Sequence, residues 1–205
     1  LHTTSYTEKG LILSASKPYP GFCEYFLRGD PDGDSKRLYN AGREALFFMD
    51  ENRLAENIVS QIRGSVSLST AKKLMERVED YARSKGMACV IAVDDAHGNP
   101  VAVHVMEDAF LVSYEVATQK AYTAVAVKMP TTEVHKLVQP GGTFYGLESM
   151  ERGRIIGFGG GVPLKIGNKV VGGLGVSGGT GEQDADIAEY GERIFREMTG
   201  QTSGK

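Results

Sequence analysis

The chain has 205 residues, 41% of them hydrophobic and 24% charged, an ordinary globular mix that buries a core and excludes wholesale disorder. Its 23 Lys and Arg against 26 Asp and Glu leave a net charge of −3, so no basic field marks nucleic acid as a partner. No apolar run nears the roughly 18 residues of a membrane span, and the first residues lack a basic-then-apolar secretion signal, so no membrane partner and a cytoplasmic location are expected. Residues 1–64 read as an N-terminal extension. Gly10–Leu13 and Phe22–Leu27 suggest short strands, and Pro18, Pro20 and the Gly29–Asp34 run suggest turns. From Ser35 to Arg63 the pattern is helical, with Leu38, Leu46, Met49, Leu54, Ile58 and Ile62 at three- and four-residue steps.

A second unit spans residues 65–200, followed by a tail at 201–205. Ala71, Leu74, Met75, Val78 and Ala82 trace one helical face, with Ser69 as N-cap and Gly86 as the stop. A strand over 87–93, a turn over 94–100 and a strand over 101–106 make a hairpin. Helices follow at 113–127 and 131–138. Three strands are predicted near Arg154–Phe158, Val162–Ile166 and Lys169–Val176, then a helix from Gly181 to Met198. Tight turns require antiparallel pairing. The expected fold class is therefore α+β, a five-stranded, mainly antiparallel sheet covered by helices.

Two cysteines, Cys23 and Cys89, lie too far apart for a redox or zinc motif; Cys89 sits in an apolar run and reads as buried. Most of the 26 glycines fall after residue 140. Gly173-Leu174-Gly175-Val176-Ser177-Gly178 spells GxGxxG but lacks the following strand and acidic residue of a dinucleotide site. Ser177-Gly178-Gly179-Thr180-Gly181 opens the last helix, where Thr180 and Gln183 form a capping box. Exposed amides there could hold a carboxylate or phosphate; equally, the glycines could serve only a tight turn. Gly159-Gly160-Gly161 reads either as turn chemistry or as a close ligand approach.

Among the histidines, His2, His97 and His135 read as terminal or surface residues. His104, alternating with Val103 and Val105, is a candidate haem ligand or a hydrogen-bonded core residue. Lys120, on a mostly apolar helix, is the candidate nucleophile for a carbonyl substrate; a surface role or pairing with Glu115 or Glu133 is the plainer reading. Glu182, Asp184 and Asp186 suit a helix N-terminus, and Asp94 and Asp95 suit turn capping. No zinc or iron site is supported by histidine spacing.

Several motifs coincide in order: Lys120-Ala121-Tyr122-Thr123-Ala124, Lys128-Met129-Pro130-Thr131, Gln139-Pro140-Gly141-Gly142, Tyr145-Gly146-Leu147, Gly159–Leu164 and Gly175–Asp184, with the hairpin strand Ile91–Asp94. Over about residues 68–199 this series resembles the GlcG/HbpS family, the haem-degrading-type domain also found at the C-terminus of PduO. The resemblance implies a PAS- or profilin-like sheet and a homo-oligomer, commonly an octamer. It implies haem or another tetrapyrrole as small-molecule ligand, with His104, Lys120, Gly160, Gly161, Ser177, Gly178, Gly179, Thr180 and Gly181 at the site. It also implies a glycolate or diol/ethanolamine pathway, in some members inside a bacterial microcompartment. Relatives often carry Arg-Met-Asp-Gly-Ala where this chain has Val105-Met106-Glu107-Asp108-Ala109, which removes a cation able to pair with a propionate. Two further roles fit the residues: an enzyme acting on a small organic acid or aldehyde through Lys120, and a scaffold docking on a compartment or partner through residues 35–63.

Overall fold

The computed structural model describes residues 64–201. The strands and helix expected before Gly64, with His2 and Cys23, lie outside the described residues, as does most of the 201–205 tail. Within them the order is α1 (Leu68–Ser84), β1 (Val90–Asp95), β2 (Pro100–Val105), α2 (Ser113–Val127), α3 (Thr131–Val138), a 3-10 segment (Leu147–Gly153), β3 (Gly161–Ile166), β4 (Lys169–Ser177) and α4 (Gly181–Met198). The four strands form one antiparallel sheet in the order β2-β1-β4-β3.

The sheet divides two layers. Ile91, Val93, Val162, Leu164, Leu174 and Val176 pack with the apolar stripes of α1 and α4. Those stripes run Ala71, Leu74, Met75, Val78, Ala82 and Ile187, Ala188, Ile194, Phe195, the three- and four-residue spacing that a helix needs to bury one face. Tyr81 and Tyr190 stack between these helices, with ring centroids 4.0 Å apart. On the opposite face Val90 and Ala92 meet Ala117 and Ala121 of α2. Here the approach is closer. A side chain at Gly173 would strike the Ala121 carbonyl, and one at Gly175 would strike the Ala117 carbonyl. The GxGxxG-like run therefore brings a helix down onto a sheet, and α2 occupies the space above those glycines.

Three sequence expectations need correction. Among the described residues the sheet has four strands, not five. Residues 154–158 form no strand: Arg154 takes right-handed helical dihedrals (φ −76°, ψ −19°), Ile156 N–H donates to Thr123 Oγ1 (3.0 Å) and Gly157 N–H to Glu148 Oε1 (3.1 Å). With those donors used by side chains, no ladder forms, although Ile155 and Ile156 are buried. The α1 N-cap is Ser67 rather than Ser69: its hydroxyl accepts from Thr70 N–H at 3.1 Å. The first hairpin strand begins at Val90 rather than Met87. The spans of α2, α3 and α4 and the stop at Gly86 (φ +69°) agree with the sequence reading.

Candidate functional site

The glycine turn before α4 is built around Asp184. This residue sits on the inward stripe of α4, four positions after the Thr180 cap, and is 2% exposed. Its Oδ1 accepts from Gly178 N–H (3.0 Å) and Gly179 N–H (2.9 Å). Its Oδ2 accepts from Lys120 Nζ at 2.7 Å. The capping box supplies the rest: Gln183 Oε1 accepts from Thr180 N–H at 2.9 Å, and Thr180 Oγ1 accepts from Gln183 N–H at 3.3 Å. The Gly178 and Gly179 amides expected to cradle a ligand anion thus hold the chain's own carboxylate.

Lys120 comes from the inward stripe of α2, with Ala117, Ala121 and Ala124. It is 1% exposed and also donates to the Val176 carbonyl at 2.8 Å. Burial pulls its ammonium below the ordinary lysine range, and the Asp184 carboxylate works against that pull. Neither Glu115 nor Glu133 is its partner: Glu115 accepts from Gln119, and Glu133 pairs with Lys136. A carbonyl substrate would have to break the Asp184 pair to reach Nζ. Gly160 (φ +114°) and Gly161 complete this layer. A side chain at Gly160 would meet Asp184, the Val176 carbonyl and Lys120 Nζ; one at Gly161 would meet the Lys120 carbonyl and Thr131. Ser177 is buried, its hydroxyl donating to Ser113 Oγ at 3.4 Å. Lys120, Gly160, Gly161, Ser177, Gly178, Gly179, Thr180 and Gly181 are therefore brought together.

His104 is not among them. It lies opposite Ile91, on the α1 side of the sheet, in the edge strand β2. Its Nδ1 is 3.1 Å from Glu79 Oε2 on α1, and its side chain is 31% exposed. A carboxylate can only accept, so Nδ1 carries the proton. In the neutral ring, Nε2 then carries the lone pair, the arrangement found in metal-bound histidines. His135 is fixed similarly, Nδ1–H donating to the Gly157 carbonyl at 2.8 Å. It lines a cleft of about 610 Å³ between α3 and α4, with Phe158, Gly159, Gly181, Asp186 and Glu189 among its walls. This hollow does border the glycine loops, and its walls carry three carboxylates, Glu182, Asp186 and Glu189, against Lys136 and His135.

Asp94, read from the sequence as a turn cap, is buried in β1. Its Oδ1 meets no hydrogen-bond partner among the described residues. Burial, seconded by Asp95, pushes its carboxyl up to about 7, while Arg154 acts in the opposite sense. Arg154 itself lies over the Tyr122 ring, 3.6 Å from the centroid. Cys89 is buried as expected, and burial raises its thiol to about 12, which makes it unreactive near neutrality.

Residues 66–192 match the family model described as haem degrading protein HbpS-like. The chain belongs to the HbpS-like family. It is 40% identical over 139 residues to a 15.0 kDa protein encoded in the dhaT–dhaS intergenic region of Citrobacter freundii, covering 68% of this chain and 98% of that one. It is 42% identical over 125 residues to the corrinoid adenosyltransferase PduO of Salmonella typhimurium, covering 61% of this chain but only 37% of PduO. Among solved structures it resembles the PduOC–haem complex, with 41% identity and a TM-score of 0.61, over 63% of this chain and 94% of that one. Sequence reasoning gave this HbpS-like chain its family and its glycine turn but missed that Asp184 fills the turn. One signal was available: an acid at 184 and a base at 120 each interrupt an otherwise small or apolar inward stripe, which invites their pairing.

Proposed function

We propose that this protein is an oligomeric haem-binding member of the HbpS-like family. The observation that carries the reading is its 41% identity to a solved haem complex, 94% of whose chain it covers. Of the candidate residues, His104 suits the iron best. Glu79 fixes its tautomer, and an Nε2 lone pair is what an axial ligand supplies. The 177–181 amides suit it less, because Asp184 fills them. When bound, haem would bring redox or ligand-sensing chemistry; the chain's part is to hold the iron and shield one face.

Self-association is supported by an apolar run at the edge of the sheet. Val105, Phe110, Leu111, Val112 and Tyr114 are all exposed, Leu111 by 97%. Such a run is more than a monomer ordinarily leaves in water, and a second copy of this chain would cover it. No described helix is long and apolar enough to cross a membrane. A cytoplasmic setting and a link to glycolate or diol/ethanolamine metabolism, with residues 1–64 meeting a compartment or pathway partner, complete the proposal.

Titrating haem into the purified protein and following the Soret band tests it. Saturable binding in wild type, with an altered band in His104→Ala, is the expected result. An unchanged spectrum on adding haem would overturn the binding, and an unchanged His104→Ala band would overturn the ligand assignment. Light scattering of Leu111→Glu against wild type reads the oligomer, which the charge should dissociate.

A further inference from the structure

The end of the sheet farthest from the glycine turn carries three lysines in an unusual setting. Lys128, Lys165 and Lys169 line one cleft of about 570 Å³, together with His97, Asn168 and Val170. No acidic residue among the described residues lines it. Among the described residues none of the three has an ion-pair partner, whereas Lys85, Lys120 and Lys136 all have carboxylate partners. Asp95, in the adjoining turn, is committed there: its Oδ1 accepts from His97 N–H at 2.8 Å and Asn99 N–H at 2.9 Å.

The backbone places these lysines by local irregularities. Lys128 stands at the end of α2 in the left-handed region (φ +58°), a costly conformation for a side-chain-bearing residue. The ladder register shifts between Leu164 and Lys165, a bulge that re-aims a strand residue. Lys169 follows the Gly167–Asn168 turn, whose Gly167 N–H donates to Gln201 Oε1 at 2.9 Å. Gln201 Nε2 in turn donates to the Lys165 carbonyl at 2.8 Å, tying the turn to the end of the chain beyond α4. Gly64 (φ +64°) leaves room for the Lys169 ammonium, which any side chain there would strike. The negative end of α2 explains a cation at 128, but not two more from a hairpin. Clustered ammonium groups repel, and on a protein of net charge −3 such a cluster is not a by-product of general basicity.

We infer that this cleft binds a small molecule carrying two or more anionic groups, phosphates or carboxylates, through Lys128, Lys165 and Lys169. Three mobile ammonium donors from separate elements can meet anionic groups spaced along one molecule, and Asn168 and His97 add neutral polar contacts at the rim. The inference stands apart from the haem reading, since His104 is on β2 and Lys120, in the middle of α2, is closed in its pair with Asp184.

Inorganic pyrophosphate is the probe. Calorimetry on the full chain at low ionic strength should give saturable binding that weakens as salt rises. Each Lys→Gln change at 128, 165 or 169 should weaken binding about tenfold or more, because it removes a charge-assisted hydrogen bond. Lys72→Gln, an equal charge change on the outer face of α1, should leave it intact. Melting curves of the exposed Lys169→Gln variant separate lost binding from lost folding. Absent saturation, or a triple variant that binds like wild type, overturns the inference. Adding haem distinguishes the anion's source. Competition means that propionates enter the cleft; independent binding means a separate soluble anion; either supports the site.

Discussion

The two ends of this sheet treat charge in opposite ways. At the glycine-turn end, Lys120 and Asp184 are both buried and every contact closes within the chain: ammonium to carboxylate, carboxylate to two amides, threonine cap to glutamine. At the hairpin end, Lys128, Lys165 and Lys169 face a cleft that no described carboxylate lines, and Asp94 is buried with an oxygen that no described group satisfies. A polar group that the fold has already satisfied is architecture. One left unsatisfied is available to a proton or a guest, because its desolvation or repulsion is still unrelieved. The more motif-like end of the sequence is therefore the closed one.

The largest expected effect is at the closed end. Asp184→Ala strips the partner from a buried ammonium and two amides, and should cost about 3–5 kcal/mol in urea unfolding. A loss below about 1 kcal/mol would mean that water already reaches this end, and the contrast would fail. Next comes Asp94. Its carboxyl rises from 3.8 when exposed to about 7 in the fold, so the folded state binds the proton more tightly. The sign follows: stability is greatest below about pH 4, falls as pH rises toward 7, and is level above it. The whole change is on the order of 4 kcal/mol. Unfolding free energies of Asp94→Asn across that range should lose this slope; a variant with the wild-type slope would assign the titration elsewhere.

Smaller effects sharpen the comparison. Thr180→Ala removes the α4 cap and should lower stability by about 1 kcal/mol, read from the shift in the melting midpoint. Lys169→Gln at the open end should stay within about 0.5 kcal/mol of wild type. At low ionic strength it should be the more stable of the two, because it relieves repulsion that salt otherwise screens. Destabilisation there would reveal a partner for Lys169 and close the second end as well.

Much of this was legible in the sequence because it is local. The spacing of Ala117, Ala121 and Ala124, the Pro130 and Gly86 boundaries and the Thr180–Gln183 box belong to short stretches of chain, and α2, α3 and α4 fall where those signals put them. The ordered glycine motifs fixed the family by the same route. Packing decided the rest. Whether Arg154–Phe158 became a strand depended on Thr123 and Glu148 taking its amides. Whether Gly173 and Gly175 served a ligand or a helix depended on α2 lying against them. Within the described residues, the sequence by itself determined the four α-helices, the hairpins and the family. Only the tertiary structure decided that Lys120 meets Asp184, 64 positions away, and that Lys128 joins Lys165 and Lys169. Periodicity and capping act over a few residues, whereas the choice of partner for a charge is settled when distant elements pack together.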